Sequence, residues 1–119
     1  MSEIRIKLEK IKNEIVDYRK KIYNYQKEKK KIENDLRTIS TAIKSSIMNE
    51  VDDKNKAKYS NQQKRDVEFA SRIDVDDTYK AKSEELEYID VKIHDVEIKI
   101  EDLRYSFRLE EIISRLGSV

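Results

Sequence analysis

Apolar side chains recur with a three-four alternation from Ile4 to Ile43, through almost six heptads. One set of seam positions holds Ile4, Ile11, Tyr18, Tyr25, Ile32 and Ile39; the other holds Leu8, Ile15, Ile22, Lys29, Leu36 and Ile43, and only Lys29 interrupts the line. Such spacing keeps one stripe of a helix facing a partner, so it predicts a single long coiled-coil helix over about residues 3–48. A second long helix is expected over about residues 77–116, and it carries two stripes. Leu86, Ile89, Ile93, Val96, Ile100, Leu103 and Phe107 form a seam like the first. Val91, Ile98, Tyr105, Leu109, Ile112 and Leu116 repeat on nearly the opposite side, given about 100° of turn per residue.

Between the long helices the period fails. Residues 49–60 gather Asp52, Asp53 and Asn55, whose short polar side chains compete for backbone hydrogen bonds, and a loop is expected there. Ser60 with Gln63 three residues later reads as a capping box for a short helix over about residues 61–73, with Val67, Phe69, Ala70 and Ile73 as its docking side chains. The run Asp74-Val75-Asp76-Asp77 then supplies acidic caps for the last helix. Gly117, the only glycine, stands where a helix commonly ends in a left-handed residue.

The predicted fold is therefore all-α: one domain over residues 1–119, an antiparallel helical hairpin with a short middle helix. A two-helix hairpin leaves the second stripe uncovered, so the short helix folds back over it or a second copy does. We expect a homodimer, assembled as a helical bundle through Val91, Ile98, Tyr105, Leu109, Ile112 and Leu116. Charge supports antiparallel pairing within the chain. Residues 1–58 hold 16 Lys and Arg against 10 Asp and Glu, whereas residues 59–119 hold 10 against 15.

Composition narrows the functional classes. At 43% charged and 37% apolar residues, the chain has material for a seam and too little for a thick globular core. It has no cysteine, no secretory signal pattern and no stretch of the roughly 18 apolar residues that a membrane helix needs, so a cytoplasmic protein is expected.

Three clusters carry candidate chemistry. Tyr18 to Lys31 contains seven basic residues, one acid and three tyrosines, a pattern that can neutralise phosphates and stack bases. Its candidate nucleic-acid face is Arg19, Lys20, Lys21, Lys27, Lys30 and Lys31; a solvated coiled-coil face is the competing reading. Asp90, Asp95, Glu97, Glu101 and Asp102 make a candidate acidic face for a protein partner. Asp74, Asp76, Thr78 and Glu85 have calcium-loop spacing, but Tyr79 stands where that loop needs glycine, and capping is the better reading. His94 has no nucleophile beside it, and no Gly-rich phosphate loop occurs. No catalytic residue, metal ligand or cofactor is expected, nor a small-molecule substrate.

Two segments, Lys58-Tyr-Ser-Asn-Gln-Gln-Lys-Arg65 and Ile98-Lys-Ile-Glu-Asp-Leu-Arg-Tyr-Ser-Phe-Arg108, resemble small coiled-coil proteins carried by phages and integrative elements of low-GC Gram-positive bacteria. The resemblance covers roughly residues 58–113. It implies a setting among genes for DNA recombination, replication takeover or counter-defence, and assigns no reaction. The expected function is an interaction module that binds and modulates, by inhibition, a bacterial DNA-processing or defence complex such as a nuclease or CRISPR effector. The alternatives are a DNA-binding accessory factor in phage recombination or replication, and a structural spacer or assembly chaperone.

Overall fold

A computed structural model describes residues 3–117. Three helices follow in order: α1 (Glu3–Asn49), α2 (Gln62–Val75) and α3 (Asp77–Gly117). The architecture is an all-α helical hairpin with a short middle helix. Its packing divides into two compact units, one joining α1 up to Glu28 with α3 from Ile89 onward, the other Lys29–Tyr88, so that α1 and α3 each contribute to both.

In the first unit, α1 and α3 pack antiparallel. Arg19, Ile22 and Gln26 share a groove with Glu97, Ile100, Glu101 and Arg104, whereas the earlier Lys12, Ile15 and Val16 share one with the later Phe107, Arg108 and Glu111. Rising numbers on α1 thus meet falling numbers on α3. Ile15, Val96 and Ile100 form the buried cluster, with Ile11, Tyr18, Ile22, Tyr25 and Leu103 packed against it. Ile89 and Ile93 are buried as well. Removing these branched chains from water supplies the drive, at about 1.5–3 kcal/mol for each fully covered side chain. Lys99 adds its ammonium over the Tyr18 ring, 5.6 Å from the centroid.

All twelve seam positions of α1 are buried or half-buried, Lys29 included. That continuity follows from the heptad spacing, which returns each seam residue to one side of the helix. The seam then runs on to Ile47, which at 1% exposure is the most completely covered large side chain among the described residues.

The second unit is held by polar ties as well as by Ile32 and Ile47. Arg72 of α2 pairs with Glu50 just after α1, and with Glu68 one turn back at 2.7 Å. Lys44 lies over the Phe69 ring at 5.0 Å, and Lys82 reaches Asp35 at 3.3 Å. Of the side chains expected to dock α2, Phe69 and Ile73 are half-buried, but Val67 and Ala70 are exposed. The correction has a simple cause: Arg72 and Glu68 take part in the docking, and a search for apolar residues overlooks them.

The connection after α1 turns tightly without glycine or proline. Asp52 accepts backbone hydrogen bonds from Lys54 and Lys56 through one carboxylate oxygen, at 2.9 and 3.0 Å, and Asn55 takes the left-handed conformation at φ 61. Asparagine tolerates that region better than most residues. A lone antiparallel bridge between Val51 and Ala57 closes the turn.

Two expectations about helix ends are corrected. The cap of α2 is Asn61 rather than Ser60: its side-chain oxygen accepts from the Lys64 N–H at 2.9 Å, while its own backbone is extended. Both residue types cap well, and the asparagine sits one step closer to the first helical N–H groups. Gly117 is the last residue of α3 and is not left-handed. The acidic cap of α3 is Asp76, whose carboxylate accepts from the Tyr79 N–H at 2.7 Å. The same residue ends α2, donating its N–H to the Ile73 carbonyl at 3.3 Å.

Candidate interaction surfaces on the two long helices

The second stripe of α3 lies in the first unit and is uncovered along its whole length. Val91, Ile98, Tyr105, Leu109, Ile112 and Leu116 are between 43% and 70% exposed, against 9% or less for Ile89, Ile93, Val96 and Ile100 on the seam side. Isolated exposed apolar residues are ordinary on protein surfaces; a continuous line of them is not. The stripe spans 26 residues of α3, about 39 Å at 1.5 Å per residue.

The five acids of the candidate partner face are all exposed. They do not, however, form one face. Asp90, Glu97 and Glu101 follow one flank of the apolar stripe, and Asp95 and Asp102 follow the other. Glu97 and Asp102, five residues apart, are separated by about 140° around the helix axis. The expected acidic patch is therefore a pair of borders with the apolar line between them, an arrangement that clustering in sequence conceals.

On α1 the expected basic residues also divide. Arg19, Lys20 and Lys27 share an exposed side in the first unit with Tyr23, which is 58% exposed and carries the Lys27 ammonium 4.8 Å over its ring. Lys21 points elsewhere and stands 5.4 Å over the ring of Tyr18. Lys30 and Lys31, in the second unit, are exposed. Tyr18 and Tyr25 are half-buried seam residues, which leaves Tyr23 as the one tyrosine of this segment presented to solvent.

Three residues that the sequence reading did not single out join this region. Lys12, Arg104 and Arg108 line an open groove of about 400 Å³ with Arg19 and Glu111, over a floor made by Ile15, Val16 and Phe107. Four cations and one carboxylate thus border an apolar floor. The signal was present in the sequence: Arg104 and Arg108 are four apart, on one side of a helix, with Phe107 between them.

Elsewhere the clusters are structural. His94 is exposed, and Asp76 uses its carboxylate as a cap. Hydrogen bonding from Arg72 holds the Glu68 carboxyl below its ordinary range, against a smaller opposing effect of burial. The same pairings, with Glu68 first and Glu50 second, raise the Arg72 guanidinium above its usual value. This clamp fastens α2 and presents no reactive group. Among the described residues no group of three or more His, Cys, Asp or Glu is placed to hold a metal ion, and no helix is long and apolar enough to cross a membrane. No family model, curated protein or solved structure matches the chain.

Proposed function

We propose that this protein is a non-enzymatic interaction module that acts in the bacterial cytoplasm as a homodimer and binds a DNA-processing or defence complex. The observation that carries the reading is the uncovered stripe of α3. A charged helical chain that leaves six apolar side chains in line has a surface suited to another helix. The resemblance to coiled-coil proteins of phages and integrative elements supplies the setting, in which such a protein modulates, by inhibition, a host nuclease or CRISPR effector.

The decisive experiment adds the purified protein to cleavage reactions run by nucleases and RNA-guided effectors of a low-GC Gram-positive host. Slowed cleavage at stoichiometric protein, reversed by excess enzyme, is the expected result. Unchanged rates throughout the panel would remove the inhibitory reading.

One observation favours a second reading, a DNA-binding accessory factor. Arg19, Lys20, Lys27 and exposed Tyr23 share a side of α1, combining charge for phosphates with a ring for a base. Binding of single-stranded DNA that weakens steeply between about 50 and 200 mM salt would support it, because released counterions make phosphate contacts salt-sensitive. The spacer or chaperone reading has no comparable observation behind it.

A further inference from the structure

The borders of the exposed α3 stripe carry a pattern that fixes how a second copy would sit on it. On one flank the charges are largely segregated: Asp90, Glu97 and Glu101 in the first half, Arg104, Arg108 and Arg115 in the second, where Glu111, toward the seam side, pairs with Arg115 at 3.9 Å. These six residues lie within about 60° of one another around the helix axis, to one side of the apolar line. They are also symmetric about one point, midway between Asp102 and Leu103. Asp90 and Arg115 are equally far from it, as are Glu97 and Arg108, and Glu101 and Arg104.

In an antiparallel helix pair each flank faces the same flank of its partner, with the order reversed. A two-fold axis at that point therefore sets all three acids of one copy opposite the three arginines of the other, and the reverse. The apolar residues obey the same register. Ile98 falls between Tyr105 and Leu109 of the second copy, and Val91 between Ile112 and Leu116, the staggered seating of knobs in holes. A parallel pair would set this flank against the opposite flank of its partner and leave the symmetry of these six charges unused. The opposite flank contributes two unfavourable facings, Asp95 against Glu110 and, at the axis, Asp102 against its own copy, outnumbered by the favourable ones.

We infer that the α3 stripe is the interface of a two-fold antiparallel homodimer, α3 against α3, with its axis between Asp102 and Leu103. The inference rests on the dimeric part of the proposed function and specifies its geometry. One consequence is that Asp90, Glu97 and Glu101 face the second copy. The surface left for a different partner is the exposed side of α1 that carries Lys20, Tyr23 and Lys27.

Because the chain has no cysteine, single cysteines give a clean test. Asp102→Cys and Val91→Cys are treated separately with a short bis-maleimide cross-linker. The antiparallel register brings the two introduced thiols of the first variant together near the axis and holds those of the second about 35 Å apart, so only Asp102→Cys should give covalent dimer. Cross-linking of both in equal yield would mean a parallel pair and overturn the inference, as would cross-linking of neither. A charge swap supplies a second measurement by sedimentation equilibrium. Glu97→Arg should weaken dimerisation by roughly 3- to 10-fold, and adding Arg108→Glu to the same chain should restore it. No weakening, or no restoration, would reject the register. Wild-type protein that sediments as a monomer yet still slows host cleavage would reject this interface and leave the inhibitory reading standing.

Discussion

Helix α3 has two apolar faces built from nearly the same residue types, and their fates are opposite. Ile89, Ile93, Val96 and Ile100 are buried, whereas Val91, Ile98, Tyr105, Leu109, Ile112 and Leu116 remain in water. Little in the composition of the two sets separates them. What separates them is the availability of a partner: α1 supplies a matching stripe for the first and has none to spare for the second. Apolar periodicity thus identifies surfaces that need covering, and the chain's own topology decides which are covered from within.

Paired substitutions sharpen this contrast. Ile100→Ala should cost about 2–5 kcal/mol, through lost transfer energy and an unfilled cavity, and should lower the unfolding midpoint at every protein concentration. Ile98→Ala, two residues away on the other face, should change the stability of a dilute monomer by no more than about 0.5 kcal/mol. Equal losses in denaturant melts would show that the two faces are not distinct. Next in size, Ile98→Glu with Leu109→Glu should abolish the dimer in sedimentation experiments while leaving the helical circular dichroism intact. The thermal midpoint of that variant should no longer rise with concentration, as that of a self-associating protein does.

The second unit provides the control, because its ties do not involve the exposed stripe. Asn61→Ala should destabilise by about 1 kcal/mol, the usual cost of a lost N-cap, with no effect on dimerisation. Arg72→Leu should have the smallest effect and a characteristic pH dependence. The Glu68 carboxyl is held below its ordinary value of 4.5, so the stability it contributes is complete above that pH and is lost as pH falls through the lowered value. Thermal melts of wild type and Arg72→Leu should therefore differ at neutral pH and converge in acid. A difference that persists at low pH would assign the role of Arg72 to packing of its stem instead.

The long-range features were legible from residue order because a heptad is a strong, redundant signal: each of the twelve seam positions on α1 supports the others, so even Lys29 does not break the line. The second stripe was legible for the same reason. Single-residue choices were not. Ser60 and Asn61 are both competent caps, and only the local backbone decides for Asn61. The docking of α2 was half-read, since Phe69 and Ile73 announce themselves by hydrophobicity while Arg72 acts through a guanidinium between Glu50 and Glu68. The acidic residues looked like one patch because neighbours in sequence need not be neighbours around a helix. The groove beneath Arg104 and Arg108 depends on the pairing of two distant segments, which no local window contains.

Asp76 serves two helices at once, closing α2 through its N–H and opening α3 through its carboxylate. The joint between them is therefore one residue long, with no slack to absorb a change in length. A single inserted residue would put α3 out of phase with α2 by about 100°, carrying Tyr79 and Lys82 away from their present neighbours. At Asp76 the reading frame of the fold itself is set.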